Sequence, residues 1–136
     1  LQAALLSVKL PFLDADNQYR RNVAQFYHNH IHNPHITLPC KKAEQISNSK
    51  DHVWHLFVVR VENREGFQQY LAKNGIQTVI HYPIPPHKQK AYSHFSSLSL
   101  PVSEKIHREV ISLPISPVIE SKDYETVCQV INAYQP

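Results

Sequence analysis

The sequence predicts a mixed α/β domain, one small sheet of three or four strands with helices packed against it. Three observations predict it. Short runs rich in β-branched and aromatic residues alternate with segments whose apolar residues recur every three or four positions. The 136 residues suffice for one cored domain and are too few for two. With 42% hydrophobic and 18% charged residues, the composition is that of a globular chain.

The elements follow in order. Residues 1–13 read as a helix, with Leu1, Leu5, Val8 and Phe12 on one stripe and Pro11 kinking or restarting it. Nothing nearby in sequence covers that stripe, so its partner is expected elsewhere. A second helix runs over about 14–31. It carries Tyr19, Val23, Phe26, Tyr27 and Ile31 on one face and Asp16, Gln18, Arg20, Arg21 and Gln25 on the other; Asn33-Pro34 stops it. Residues 36–39 suggest a short strand and 43–51 a polar loop. Residues 53–61 (VWHLFVVRV) give the strongest strand signal, with Trp54 expected in the core and His55 on the opposite face. Asn63 is suited to cap a helix over 64–74 whose apolar face is Phe67, Tyr70 and Leu71, and Gly75 to end it in a left-handed conformation. Residues 76–82 (IQTVIHY) form the next expected strand, stopped by Pro83-Ile84-Pro85-Pro86. Pro86 opens a short helix over 87–95. Ser103 is expected to cap a helix over 104–110, followed by a strand over 111–113. Ser121 is expected to cap a last helix with the stripe Tyr124, Val127, Cys128, Ile131 and Tyr134.

Composition narrows the function. The two glycines, Gly66 and Gly75, cannot build a phosphate-cradling Gly-rich loop. A net charge of +3 with scattered basic residues does not suggest nucleic acid. The apolar runs are far shorter than the ~20 residues of a membrane span, and no basic region precedes an apolar stretch as in a signal peptide. The chain has no methionine and opens inside an apolar-periodic segment, from which we expect a portion of a longer polypeptide. Cys40 and Cys128 lack CxxC spacing; they are read as two buried, reduced thiols of a cytosolic protein, with a single disulfide as the alternative.

Two constellations stand out. His28 and His32, at i and i+4 on a helix, have the spacing of a divalent-metal pair, with His30 pointing away and His35 beyond Pro34. The plainer reading is a polar helix end where imidazolium suits the dipole, and no metal is assigned. The second is the stretch from Ile80 to His87 (IHYPIPPH). A strand ends in His81-Tyr82, prolines stiffen the exit and His87 opens a helix. Such junctions collect ligand-contacting groups, so His81, Tyr82 and His87 are candidates to meet a phosphate or sugar. No nucleophile elbow and no Cys–His pair can be argued.

Four segments in register resemble one known family, the DegT-type nucleotide-sugar aminotransferases. Leu1-Gln2-Ala3-Ala4-Leu5-Leu6-Ser7-Val8-Lys9-Leu10, with Leu13-Asp14 and the stretch from Asn17 to Arg21, resembles their interdomain helix. His52-Val53-Trp54-His55-Leu56-Phe57-Val58-Val59-Arg60 resembles their next hallmark strand. Gly75-Ile76 with Ile80-His81-Tyr82-Pro83-Ile84-Pro85-Pro86-His87 resembles their GI…IHYPIPPH segment, and Leu113-Pro114-Ile115-Ser116-Pro117 their LPISP segment. The resemblance covers essentially the whole chain.

It implies an α+β fold with a three- to four-stranded, mainly antiparallel sheet, flanking helices and a long N-terminal linking helix. This would be the C-terminal part of a pyridoxal-phosphate-dependent, aspartate-aminotransferase-type enzyme. Residues 1–35 would be the interdomain linking region and 36–136 the small domain, with the cofactor-binding large domain outside the chain. Such enzymes pass an amino group, usually from glutamate, to a nucleotide-linked keto-sugar for O-antigen, other polysaccharides or glycosylated antibiotics. They work as homodimers. The resemblance places His81 and Tyr82, and more weakly His87, at the substrate. None of the nine lysines matches the Schiff-base motif, so no catalytic or cofactor-binding residue is assigned, and the chain alone is expected to be inactive. A sister branch of the family dehydrates the sugar instead. Two readings from other classes are a non-catalytic α+β interaction module using the 1–13 stripe and a His-rich metal carrier.

Overall fold

The computed structural model describes residues 1–40, 46 and 49–136. Helix α1 (Gln2–Lys9) passes through a single 3₁₀ turn, Leu10–Phe12, into α2 (Leu13–His30). Pro11 sits in that turn, where its missing N–H is harmless. No residue of α1 is buried; Leu5, Leu6 and Val8 are 63–70% exposed. The helix gains its core contacts only in α2, where Val23, Ala24 and Tyr27 are buried.

Strand β1 (Phe57–Arg60) pairs antiparallel with β2 (Val110–Leu113), Phe57 opposite Leu113 and Val58 opposite Ser112. Single antiparallel bridges add Thr37 outside β1, through Arg60, and Val79 outside β2, through Ser112. The sheet is therefore antiparallel throughout, and β2 lies inside it with all four residues buried. Helix α3 (Arg64–Lys73) follows β1, α4 (Pro101–Glu109) feeds β2 and α5 (Ser121–Ala133) closes the chain. Tyr27, Phe57, Phe67, Leu71, Ile111 and Ile131 form the fully buried centre.

Local chemistry explains both ends of α3. Asn63 accepts from the Gly66 N–H at 3.1 Å to cap α3. Gly75, at φ 77, ends it while the Ile76 N–H returns to the Leu71 carbonyl. The expected apolar stripes of α3 and α5 face the core: Phe67, Leu71, Val127, Cys128, Ile131 and Tyr134 are buried.

Several expectations are corrected. The 53–61 segment pairs only over Phe57–Arg60, because Trp54 turns into a left-handed conformation (φ 52) and its N–H donates to His52 Nδ1. Trp54 is nonetheless buried and His55 exposed. The strands expected over 36–39 and 76–82 reduce to the Thr37 and Val79 bridges. Ser103 and Ser121 cap nothing: α4 begins at Pro101 after Leu100, and α5 begins at Ser121 after Glu120. Arg21, read as polar-face, is buried, its Nε donating to the His52 carbonyl. Most of the loop expected over 43–51 lies outside the described residues. Among the described residues, no helix is long and apolar enough to cross a membrane.

Asn33 closes the second helix against the last. Its amide donates to the Ile131 and Tyr134 carbonyls, both at 2.8 Å, and its oxygen accepts from the His35 N–H. On the same side burial pushes the Cys128 thiol up from 9.0 to about 12 and raises the Tyr27 hydroxyl as well. In the unfolded chain the Cys128 thiol loses its proton near 9, whereas the folded chain keeps it. Its contribution to stability is therefore complete below pH 9 and is lost as the pH rises towards about 12. We expect Cys128 to ignore Ellman's reagent at pH 8 until urea unfolds the chain, and the urea midpoint to fall between pH 9 and 11. Rapid native-state labelling of both thiols would contradict this.

Candidate functional site

Strand β2 builds the site. Its sequence, Val110-Ile111-Ser112-Leu113, puts one polar residue in a buried strand. The Ser112 backbone exchanges both bonds with Val79, N–H to carbonyl at 2.8 Å and the reverse at 3.5 Å. That pairing sets the path of the following residues, and two positions on, His81 brings Nδ1 to 2.9 Å from Ser112 Oγ. Tyr82 stands beyond it, 65% exposed, its ring edge-on to the His81 imidazole at 5.5 Å. The peptide bond between them is cis. The Tyr82 carbonyl accepts from His107 Nδ1 at 2.6 Å. His107 is itself anchored, since its carbonyl accepts from Arg64 Nη1 at the start of α3.

His87 is placed differently. It lies in a 3₁₀ turn, Pro86–Lys88, 6% exposed, with Nε2 donating to Glu104 Oε1 at 3.1 Å. The same Glu104 oxygen accepts from the Leu100 N–H. Lys88 Nζ donates to the Ser96 and Leu98 carbonyls at 2.7 and 3.0 Å. The Leu100 N–H first, and the His87 ring second, hold the Glu104 carboxyl below the usual carboxylate range. These contacts tie the 86–100 excursion to α4.

Apolar ground adjoins the pair. A groove of about 610 Å³ runs past Leu100, Val102, Ile106 and His107. It shares Leu100 and Ser103 with a recess of about 430 Å³ lined by His87, Tyr92, Phe95 and Leu98. A separate polar cleft of about 440 Å³ between Arg60, Glu62, Lys105 and Glu109 shares no residue with either; there Arg60 Nη2 pairs with Glu109 at 2.9 Å.

The structure thus places His81 and Tyr82 just beyond the Val79 bridge and turns His87 inward. Sequence reasoning missed Ser112, His107 and Glu104. A lone serine inside the apolar run VISL was the available signal, because a buried hydroxyl needs a partner. Nothing local marked His107 or Glu104.

The N-terminal histidines serve the backbone. His28 Nε2 donates to the Cys40 carbonyl, and His30 Nδ1 donates to the Phe26 carbonyl while its ring stacks on Phe26. Because α2 ends at His30, His32 lies outside it and the i, i+4 spacing is not kept. Among the described residues, no three metal-ligating side chains converge.

Pyridoxal phosphate needs a sheltered lysine for its imine. Every described lysine is exposed, and Lys88 is held by loop carbonyls. The described residues do not form a complete site for that group.

The family model of the DegT/DnrJ/EryC1/StrS aminotransferases matches residues 1–132. The dTDP-3-amino-3,6-dideoxy-alpha-D-galactopyranose transaminase of Aneurinibacillus thermoaerophilus is 58% identical over 134 residues, 98% of this chain and 36% of that protein. The dTDP-3-amino-3,4,6-trideoxy-alpha-D-glucose transaminase of Streptomyces venezuelae is 39% identical over 123 residues, 88% and 31% of the two. The crystal structure of S. venezuelae DesV in complex with a ketimine intermediate superposes with a TM-score of 0.86 at 36% identity. It covers 96% of this chain and 35% of that one. The chain spans about a third of the length of the curated relatives it matches. The match takes in both strands of the sheet, the segment at His81 and nearly all of the last helix, and the chain belongs to the DegT/DnrJ/EryC1/StrS aminotransferase family.

Proposed function

We propose that this chain is the small-domain portion of a pyridoxal-phosphate-dependent aminotransferase that moves an amino group from glutamate to a nucleotide-linked keto-deoxysugar. The observation that carries the reading is the 58% identity, over 98% of the chain, to a protein named as a dTDP-amino-sugar transaminase. Residues 1–35 are the linking region and 36–136 the small domain. The remaining two thirds of the enzyme bring the cofactor and its lysine, and two copies form a cytoplasmic homodimer. The exposed α1 stripe is the kind of surface that further chain covers.

In this reading His81 and Tyr82 hold the sugar nucleotide. His87 acts through Glu104, keeping the 86–100 segment against α4. The cofactor, when bound, withdraws electrons from the carbon that gains or loses nitrogen. The residues described here bind and orient the substrate, and such remote contacts raise the fraction of bound sugar that is aligned to react.

The test is an assay of the full-length enzyme with pyridoxal phosphate, glutamate and a nucleotide-linked keto-deoxysugar. Amino-sugar and 2-oxoglutarate should appear one for one, and the 136-residue chain alone should give neither. Loss of a sugar hydroxyl without amine would replace transamination by dehydration. The relatives named as transaminases favour amine transfer.

A further inference from the structure

We propose that Ser112 is a positioning residue that fixes which nitrogen of His81 carries the proton. Its hydroxyl donates to Nδ1, the neutral ring keeps its hydrogen on Nε2, and His81 therefore meets the substrate as a hydrogen-bond donor. The substrate half of this inference rests on the function proposed above; the tautomer does not.

The argument is one of partners. Ser112 is 5% exposed and its backbone N–H and carbonyl are both engaged by Val79. Its Oγ makes one hydrogen bond among the described residues, to His81 Nδ1 at 2.9 Å. If Nδ1–H donated to Oγ, the hydroxyl hydrogen would be buried with no acceptor among those residues. With the hydroxyl as donor, only lone pairs go unused. A buried donor without an acceptor is the costlier defect, enough to favour the Nε2–H form on the order of tenfold.

The other histidine contacts sharpen the contrast. His28, His30 and His107 face backbone carbonyls and His87 a carboxylate, so each must donate from the nitrogen in contact. For His30 and His107 that nitrogen is Nδ1. His81 is contacted on Nδ1 by a group able to donate, which reverses the outcome.

The free nitrogen of His81 is open. Among the described residues, Trp54 Nε1, Arg64 Nε and Tyr134 Oη are the buried side-chain atoms without a partner; His81 Nε2 is not one of them. The His107 bond to the Tyr82 carbonyl anchors the backbone separately. Removing the Ser112 hydroxyl should therefore free the ring without releasing the chain. The group met by Nε2–H is an acceptor oxygen of the nucleotide-linked sugar, and a ligand offering only a donor there would be rejected.

The experiment labels histidine with ¹⁵N in the full-length protein and records two-bond ¹H–¹⁵N correlations at pH 8, with His81→Gln identifying the His81 signals. The wild type should show the Nε2–H pattern for His81. Ser112→Ala should shift it towards a mixture, and Ser112→Thr should restore it. In the assay, Ser112→Ala should raise KM for the sugar nucleotide about 3- to 10-fold, with kcat and KM for glutamate within about twofold. A wild-type Nδ1–H pattern, or a pattern unmoved in Ser112→Ala, overturns the proposal. The wild-type spectrum decides the tautomer even if a variant fails to fold. A confirmed tautomer with KM unchanged in both Ser112→Ala and His81→Gln overturns the substrate half alone.

Discussion

His81→Ala in the full-length enzyme should lower kcat/KM for the sugar nucleotide about 10- to 100-fold, the equivalent of one hydrogen bond to a charged or strongly polar group. Tyr82→Phe should lower it about 3- to 10-fold. Both side chains stand at the end of the segment that Val79 ties to β2, so neither change removes core packing. Tyr82 is 65% exposed, and His81 leaves only Ser112 Oγ without its partner. The loss should sit mainly in KM for the sugar. KM for glutamate should move less, because a contact to the nucleotide-bearing substrate acts in only one half of the reaction. Circular dichroism should match the wild type for both; melting should match for Tyr82→Phe, while His81→Ala, which leaves the Ser112 hydroxyl without its acceptor, should cost about 1–3 kcal/mol. If both variants keep wild-type KM and kcat, the assignment of His81 and Tyr82 to the substrate fails. Glu104→Gln should then be compared: it removes the charged partner of His87 while sparing His81 and Tyr82, and separates the loop's hold from direct contact.

The largest stability effect is expected at Tyr27. The ring is fully buried, 5.1 Å from Phe57 between centroids and edge-on to Tyr124 at 6.5 Å. Its hydroxyl donates to the Pro114 carbonyl at 2.6 Å, across 87 residues of chain. Tyr27→Ala removes a buried aromatic and strands that carbonyl, and should cost about 3–5 kcal/mol. Tyr27→Phe keeps the ring and should cost about 1–2 kcal/mol. Urea unfolding reads both as shifts of midpoint at constant slope. A loss below about 1 kcal/mol for the alanine variant would place the centre of packing elsewhere. Pro114 follows Ser112 by two residues, so the bond that pins α2 to the sheet also steadies the strand that orients His81.

Much of this was legible along the chain. Asn63 and Gly75 announced both ends of α3, and the stripe from Tyr124 to Tyr134 announced the buried face of α5. Four motifs in register announced the family, and the HYP junction announced the chain leaving the sheet. All of these are short-range signals: a cap, a left-handed glycine, a 3.6-residue period, a run of prolines. Each is set by neighbours within a turn or two, so one sequence suffices to read it. The misreadings came where a distant partner overrode the local pattern. VWHLFVVRV has strand composition over nine residues, yet four of them pair, since Trp54 turns left-handed and its N–H goes to the His52 ring. Arg21 follows the polar period of α2 and is buried against the His52 carbonyl.

The sequence by itself determined the long helices, the Asn63 and Gly75 ends of α3, the family and the segment that leads to His81-Tyr82. Only the tertiary structure decided that β2 lies inside the sheet, that Ser112 meets a ring 31 residues away, and that His107 holds the Tyr82 carbonyl. The reason is physical. A helix period or a cap depends on bonds closed within a few residues, whereas a hydrogen bond across thirty or a hundred depends on how the whole chain closes its loops around one core.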